Sequence, residues 1–246
     1  IVGSVRGRYF VVVPTFNEVE NVTRLVADVL AALPDARVIV VDDASPDGTA
    51  DAVDRLGDPR ATVLRRPAKN GLGAAYRAGF AAALDRGASI CVQMDADLSH
   101  DPRYLPELVS VVERGADASI GSRYVPGGAC VDWPRLRQFL SRWGNRYAAG
   151  MLGLAVNDAT SGFRAYSAAA LSRMDYGSVT AEGYGFQVEM THRLVRCGAR
   201  VVEIPIVFPD RTAGESKLTH RIIGEAFRLV LRLAWSDWRR GHRRRL

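Results

Sequence analysis

Two aspartates separated by one residue offer the clearest chemistry in this sequence. Asp95 and Asp97 follow Ser89–Met94, an apolar run that predicts a buried strand. Carboxylates at this spacing can share one divalent cation, and Mg²⁺ and Mn²⁺ prefer oxygen ligands that leave room for water and phosphate oxygens. Aspartates that cap a helix or form a turn show the same spacing. The interpretation therefore depends on the residues that the fold places beside the pair.

Two further polar segments, Pro14–Glu18 and Asp42–Gly48, directly follow valine-rich runs. Ligands of parallel α/β sheets bind at the carboxyl ends of the strands, so we expect both segments to lie beside the aspartate pair. Asp42 and Asp43 can accept hydrogen bonds from a nucleobase and a ribose. A cation beside a nucleoside pocket indicates a nucleoside diphosphate as the ligand.

The elements that must position these residues alternate between apolar runs and helical patterns. Strands are predicted at Tyr9–Val13, Arg37–Val41, Ala61–Leu64, Ser89–Met94 and Ala118–Ile120. Helices are predicted at Glu20–Leu33, Thr49–Leu56, Leu72–Arg86 and Tyr104–Arg114. This order is typical of an α/β, Rossmann-like fold with a mostly parallel sheet and helices on both faces. We expect the first 125 residues to form this domain and the rest of the chain to elaborate it.

Several familiar nucleotide and membrane signatures are absent from the sequence. Gly71–Tyr76 begins like the dinucleotide-binding motif, but Tyr76 stands where the third glycine would be, so we do not expect a dinucleotide fold. The longest run without charge, Tyr147–Asn157, has 11 residues, whereas a membrane span needs about 20. Cys91, Cys130 and Cys197 form no CxxC pair, which fits a reducing compartment.

The charge is concentrated at one end of the chain. The net charge is +6, and Arg239–Leu246 carries five arginines and no acid, so the rest carries only +1. This distribution argues against a nucleic-acid-binding domain and suits a tail at an anionic membrane surface, although a solvated terminus has the same composition. We expect a protein peripheral to the cell membrane, on its cytoplasmic side.

A series of motifs resembles the family-2 glycosyltransferases of GT-A fold, and more narrowly the polyprenol (dolichol) phosphate mannose synthases of actinobacteria. The motifs lie at Pro14–Glu18, Val41–Thr49, Asn70–Tyr76, Met94–His100, Gly121–Tyr124, Leu140–Arg142, Thr160–Arg164, Gly183–Met190 and Asp210–Lys217. Each is weak alone, but their order is specific.

The resemblance implies inverting transfer of mannose from GDP-mannose to a polyprenyl phosphate, for later lipoglycan or protein mannosylation. One alternative keeps the fold and uses UDP-glucose as donor. Another is a non-catalytic, membrane-associated subunit that binds a nucleotide sugar. The implied partners are GDP-mannose and the polyprenyl phosphate, and the implied cofactor is Mg²⁺ or Mn²⁺. A lipid substrate also requires attachment to the membrane surface or, alternatively, a separate membrane-protein subunit as partner.

The resemblance also implies roles for individual residues. The donor site would comprise Pro14, Phe16, Glu18, Val41, Asp43, Gln93, Asp95, Ala96, Asp97, Arg211 and Lys217. The metal ligands would be Asp95 and Asp97, and the catalytic residues Asp97, Arg123, Arg211 and Lys217.

The acceptor explains which charges the reaction needs. A lipid phosphate is already anionic near neutral pH, so it needs positive charge rather than a strong general base. We expect Arg123, Arg137 and Ser141 to bind it, and Arg137 and Ser141 share one helical face if their segment is helical. Arg211 and Lys217 can close over the leaving diphosphate. Routine surface charge is the alternative for all these basic residues.

The C-terminal segment from Lys217 to Trp235 predicts an amphipathic helix. It can pack on the core, lie in a membrane interface or dock a membrane partner, and Trp235 and Trp238 followed by arginines favour the interface. We divide the chain into a GT-A catalytic domain, residues 1–216, and a C-terminal amphipathic helix with a basic tail, residues 217–246.

Overall fold

The computed structural model describes residues 8–209 and 220–243. Its strands are β1 (Tyr9–Thr15), β2 (Ala36–Asp42), β3 (Ala61–Arg65), β4 (Ile90–Gln93), β5 (Ala118–Ser122), β6 (Ala129–Cys130), β7 (Arg164–Ser167), β8 (Val201–Pro205) and β9 (Val207–Phe208). Its α-helices are α1 (Val19–Ala32), α2 (Thr49–Asp54), α3 (Leu72–Asp85), α4 (Leu105–Glu113), α5 (Arg135–Leu152), α6 (Ala168–Arg173), α7 (Tyr184–Arg196) and α8 (His220–Arg243). All the strands and helices predicted before residue 125 are confirmed, with small shifts at their ends.

The main sheet has seven strands in the order β3-β2-β1-β4-β7-β5-β8. The pairs β1–β2, β1–β4, β2–β3 and β5–β8 are parallel, and β7 lies antiparallel between β4 and β5. The prediction of a mostly parallel sheet is confirmed. The expectation that residues 1–125 complete the domain is wrong, because β7 alone joins β4 to β5. Its sequence, Arg-Ala-Tyr-Ser, has no apolar run that would have predicted a central strand.

Helices cover both faces of the sheet, as predicted. Val11 and Val13 of β1 pack with α1 and α4, whereas Phe10 and Val12 pack with α3 and α7. This alternation follows from the two-residue period of a strand. On the second face, a Cβ at Gly79 would lie 2.2 Å from Val12 Cγ1, so glycine permits α3 to approach the sheet closely.

The two helices α5 and α8 form an added layer. Leu229 and Val230 of α8 are buried, and Val230 shares a core cluster with Ile120 and Leu152. Asp237 binds α7 through His192 Nε2 at 2.9 Å. The helix continues to Arg243, so the prediction that it ends at Trp235 is wrong.

Two predictions for the C-terminal region concern residues outside the described ranges. Lys217, where the helix was predicted to begin, lies outside the described residues. The proposed domain boundary between residues 216 and 217 lies there as well.

Candidate functional site

The loops after β1 and β2 are fastened to each other at the carboxyl edge of the sheet. The Asn17 N–H donates to Ser45 Oγ at 3.0 Å, and the Glu18 N–H donates to Thr49 Oγ1 at 3.0 Å. Asp42, the last residue of β2, is buried and accepts hydrogen bonds from Thr15 and from Ser45. The two segments therefore meet as expected, but Asp42 holds the loops together rather than facing a ligand.

Three of the loops at this edge contain a non-glycine residue in the left-handed region. Asn17, Ala44 and Leu98 have φ values of 59°, 57° and 60° and follow β1, β2 and β4 respectively. Such conformations cost on the order of 1–3 kcal/mol and persist where surrounding contacts over-determine the backbone. Part of the backbone strain of the described residues therefore lies at the sheet edge where the sequence predicts that a ligand binds.

Asp43 directly follows β2, in the segment that was predicted to bind a nucleoside. It is buried, and its Oδ1 accepts a hydrogen bond from Arg66 Nη1 at 2.6 Å. Burial raises the pKa of the Asp43 carboxyl above its usual value, and the opposing effect of Arg66 is smaller. The Lys69 ammonium lies 3.6 Å from the centre of the Phe16 ring, in cation–π contact.

Sequence reasoning missed both of these basic residues. Arg66 and Lys69 follow β3, the next parallel strand of the sheet. Its carboxyl end reaches the same edge as those of β1 and β2. The position of both residues after a predicted parallel strand was the sequence signal that could have identified them.

The other predicted donor residues have mixed surroundings. Pro14 is half-buried in β1, and the Glu18 carboxylate accepts a hydrogen bond from Asn21 Nδ2 at 3.1 Å. Val41 and Gln93 are fully buried, and the Gln93 amide is bonded to Gln187 and to Tyr166. Their side chains belong to the core, as does that of Ala96, so the predicted ligand contacts of these three residues would have to come from their backbone.

The aspartate pair sits just beyond β4, with each carboxylate held by a hydroxyl. Asp95 Oδ1 accepts from the Tyr76 hydroxyl at 2.5 Å, and Asp97 Oδ1 accepts from the Ser99 N–H at 3.1 Å and also from its hydroxyl. The Asp95 N–H donates to His100 Nδ1 at 3.0 Å. These contacts fix the loop that carries both carboxylates.

This donor set fits a divalent cation that is shared with a ligand. Across residues 8–209 and 220–243, no group of three or more His, Cys, Asp and Glu side chains is arranged to hold a metal. A cation at Asp95 and Asp97 would therefore complete its shell with water and diphosphate oxygens. That is the usual coordination of Mg²⁺ at nucleotide sites.

The three predicted acceptor residues come together around α5 and the end of β5. Arg137 lies over the Trp133 ring, 3.9 Å from its centre, and the Arg123 guanidinium lies 5.6 Å from the same centre. Ser141, one turn after Arg137, accepts a hydrogen bond from the Tyr124 hydroxyl at 2.7 Å. The helix predicted for Arg137 and Ser141 is confirmed as α5.

Arg123 has a buried partner that the sequence did not reveal. Its Nε and Nη2 donate to the two oxygens of Asp158 at 2.7 Å each, and Nη2 also donates to Thr160 Oγ1 at 2.8 Å. Burial by itself would raise the pKa of Asp158, but Arg123 holds it below the usual value. Two of the three guanidinium nitrogens are thus already bound, and a phosphate-binding role for Arg123 remains a prediction.

The segment Thr160–Gly162 joins the two halves of the site. Thr160 binds Arg123 on the acceptor side and Asn145 of α5. At its other end, a Cβ at Gly162 would lie 3.1 Å from Asp95 Oδ2, so only glycine leaves that carboxylate oxygen its full space. The segment belongs to the family motif Thr160–Arg164, for which the sequence predicted no role.

The glycines of Gly71–Tyr76 serve packing rather than a dinucleotide. Gly73 donates its N–H to Glu182 at 2.7 Å, and a Cβ at Gly71 would lie 2.4 Å from the same carboxylate. The start of α3 is therefore occupied by a carboxylate of the protein itself. This contact agrees with the expectation that the segment is not a dinucleotide-binding loop.

Two predicted residues, Arg211 and Lys217, lie outside the described residues. Within the described ranges, none of the helices combines the length and the hydropathy needed to cross a bilayer.

A family model and several known proteins match this chain. A family model described as glycosyl transferase family 2 matches residues 10–174. The undecaprenyl-phosphate mannosyltransferase of Micrococcus luteus is 47% identical over 97% of this chain and 99% of its own length. The polyprenol monophosphomannose synthase of Mycolicibacterium smegmatis is 46% identical over 89% of this chain and 84% of its own.

A solved structure extends the comparison to the fold. The glucosyl-3-phosphoglycerate synthase of Mycobacterium tuberculosis, in complex with Mn²⁺, UDP-glucose and phosphoglyceric acid, superimposes with a TM-score of 0.67 at 20% identity. The match covers 93% of this chain and 79% of that one. At this identity the likeness concerns the fold.

Proposed function

Since this chain belongs to glycosyl transferase family 2, we propose that it transfers mannose, with inversion, from GDP-mannose to a polyprenyl phosphate. The observation that carries the proposal is the joining of two unlike polar clusters at one sheet edge. A carboxylate cluster around Asp95 and an arginine cluster around Arg137 are linked through Thr160–Gly162. Two relatives that match most of the chain bear mannosyltransferase or monophosphomannose synthase names.

The donor nucleotide is assigned to the pocket beside β1, β2 and β3. Phe16 offers a ring for stacking, and Asp43 offers a carboxylate for the N–H groups of guanine. The Asp43–Arg66 pair presents an acceptor next to a donor, which suits a base that has both N–H groups and a carbonyl. We assign Pro14, Glu18 and Val41 to the walls of this pocket.

The diphosphate is assigned to the aspartate pair. A divalent cation held by Asp95 and Asp97 would offset the charge that grows on the departing GDP. The structural neighbour that was solved with Mn²⁺ supports a divalent cation of this kind. Arg211 and Lys217 complete the proposal as cationic groups for the leaving diphosphate.

The acceptor phosphate is assigned to Arg137 and Ser141, with Arg123 behind them. One phosphate oxygen forms the bond to C1 of mannose while the C1–oxygen bond to the diphosphate breaks, and GDP leaves with that electron pair. The attacking oxygen is already anionic, so the step needs no proton acceptor. This agrees with an acceptor cluster built from cations and hydroxyls.

A lipid acceptor requires contact with a membrane, and one surface of the protein suits that contact. Large apolar side chains are exposed on α5 and α8, which we call the α5–α8 apolar surface: Leu136, Phe139, Leu140, Trp143, Phe227, Leu231, Trp235 and Trp238. The stacked rings of Trp143, Tyr147 and Phe227 join the two helices, with centroid distances of 5.7 and 4.9 Å.

Arginines flank the α5–α8 apolar surface. Arg142 and Arg146 of α5 and Arg232 and Arg239 of α8 are exposed. Exposed apolar and aromatic residues next to basic groups suit the interface of an anionic leaflet. The same α5 carries Arg137 and Ser141, so a lipid phosphate at the membrane surface lies close to its assigned ligands. We propose peripheral attachment on the cytoplasmic side of the cell membrane.

A transfer assay with labelled donors tests the function. The protein is incubated with a divalent cation, a short polyprenyl phosphate and either GDP-mannose or UDP-glucose. We expect labelled lipid from GDP-mannose alone. Labelled lipid from UDP-glucose alone would show that the donor is UDP-glucose and not GDP-mannose. GDP binding without any transfer would indicate a non-catalytic nucleotide-sugar-binding subunit.

A further inference from the structure

Tyr76 is buried next to the site and touches one of its carboxylates. It lies in the second turn of α3, is fully inaccessible to solvent, and donates its hydroxyl to Asp95 Oδ1 at 2.5 Å. Its ring is stacked between Phe186, at 5.7 Å and 8°, and Phe80, at 5.9 Å and 23°. Two aromatic neighbours therefore fix the direction in which the hydroxyl points.

The remaining parts of Asp95 are constrained from other sides. Its N–H donates to His100 Nδ1, and its Oδ2 faces the Cα of Gly162 closely enough that a methyl group there would crowd it. The hydrogen bond from the Tyr76 hydroxyl to Oδ1 sets the rotation of the Asp95 carboxylate. A cation ligand needs that rotation to be fixed before the ion arrives.

We propose that Tyr76 is a positioning residue for the metal site, orienting the Asp95 carboxylate so that it can bind the cation together with the diphosphate. This inference rests on the proposed function. Substitution of such outer partners typically weakens metal binding 10- to 100-fold.

A second buried tyrosine of the same chain provides a matched control. The Tyr9 hydroxyl also donates to a carboxylate, that of Glu113, and Tyr9 is likewise buried. Tyr9 begins β1, whereas the site lies beyond the other end of that strand. Tyr9→Phe therefore removes the same type of hydrogen bond at the edge of the sheet opposite the site.

The experiment measures Mn²⁺ affinity in the presence of GDP, by the loss of the electron paramagnetic resonance signal of unbound Mn²⁺. We expect Tyr76→Phe to bind Mn²⁺ about 10- to 100-fold more weakly than wild type, and Tyr9→Phe to bind it normally. Thermal unfolding of both variants corrects the titrations for the folded fraction. A Tyr76→Leu variant, which also lacks the hydroxyl and is smaller than tyrosine, provides a second test if Tyr76→Phe does not fold.

Each outcome has a distinct meaning. Normal Mn²⁺ affinity in Tyr76→Phe, with tight binding by wild type, would overturn the positioning role and leave the proposed function intact. Equal weakening in Tyr9→Phe would show a general effect of stability and would also overturn it. Absence of Mn²⁺ binding by wild type would instead overturn the proposed metal site itself.

Discussion

Arg123 and Asp158 form a two-point ion pair inside the protein, in which the arginine side chain is 7% exposed and the aspartate is not exposed at all. The Arg123 N–H also donates to Asp158 Oδ2 at 3.1 Å. Asp158 is held in turn by Glu203, which accepts its N–H at 2.9 Å. The pair connects the end of β5 to the segment that leads into β7, so it belongs to the frame that supports the acceptor cluster.

Asp158→Ala leaves the buried Arg123 charge without its partner. Breaking such a pair typically costs about 3–5 kcal/mol, because the remaining charge is not solvated. We expect a loss of that size in the free energy of unfolding, measured by urea denaturation. Arg65→Ala, which breaks the exposed pairs with Asp51 and Asp54, is the control and should change stability little. A loss in Asp158→Ala as small as in this control would contradict the argument.

The raised pKa of Asp43 predicts how donor affinity depends on pH. A carboxyl with a raised pKa takes up its proton at a higher pH than an ordinary aspartate, whose value is 3.8. Protonation removes the negative acceptor, so we expect GDP affinity to fall on acidification before ordinary aspartates titrate.

The measurement compares wild type with Asp43→Asn across the pH range. The ratio of their GDP affinities cancels the titration of GDP itself and should shrink as the pH falls. Asp51→Asn, at an exposed position of α2, should keep the wild-type profile. A constant ratio between wild type and Asp43→Asn would remove Asp43 from nucleotide recognition.

Asp97→Ala removes one of the two carboxylates assigned to the cation. We expect transfer to be abolished and donor binding to lose its dependence on the metal, while circular dichroism stays that of the wild type. Asp101→Ala, a nearby aspartate whose side chain pairs with Arg103, should retain activity. Near-normal turnover of Asp97→Ala with unchanged metal dependence would remove the metal assignment.

Arg137→Ala separates the acceptor from the donor. A hydrogen bond from arginine to phosphate contributes about 1.5–3 kcal/mol. We therefore expect use of the lipid phosphate to weaken roughly tenfold or more, as kcat/KM for the acceptor, with GDP affinity unchanged. Arg24→Ala, an exposed arginine of α1, serves as the control. Loss of GDP binding in Arg137→Ala would show that the donor and acceptor sites are not divided as assigned.

Removal of Arg239–Leu246 tests the basic tail. Each arginine near an anionic leaflet contributes about 1 kcal/mol, which salt screens. We expect weaker binding to vesicles that contain anionic lipid at low salt, and nearly unchanged transfer to a short, water-soluble acceptor. Trp235→Ala, within the α5–α8 apolar surface, should weaken vesicle binding at high salt as well. Wild-type vesicle binding by the truncated protein would assign the attachment to that surface alone.

The sequence predicted those parts of the fold that local patterns determine. Valine-rich runs identify β1 and β2, and the polar residues after them identify the edge where Asp43, Asp95 and Asp97 lie. Apolar periodicity and strand-end chemistry are short-range signals, so one sequence suffices to detect them.

Long-range pairing explains what the sequence did not predict. Asp158 lies 35 residues after Arg123, and the hydroxyl on Asp95 comes from Tyr76, 19 residues before it. Arg164, in β7, is fully buried and hydrogen-bonded to Ser161 and Ala159. Because a charged residue occupies this core position, the sequence of β7 shows no apolar pattern. Such contacts depend on the folded arrangement and leave no periodic signal.

The side-chain contacts of Asp237 have a mechanical consequence. Asp237 holds α8 to α7 through His192 and Arg196, at 2.9 and 2.8 Å, while the neighbouring Trp235 and Trp238 point outward. A protein attached by such a helix is not suspended from a flexible linker, which would let it tumble above the lipids. Its catalytic edge would instead keep one height and one tilt over the bilayer, and its search for an acceptor would take place in two dimensions.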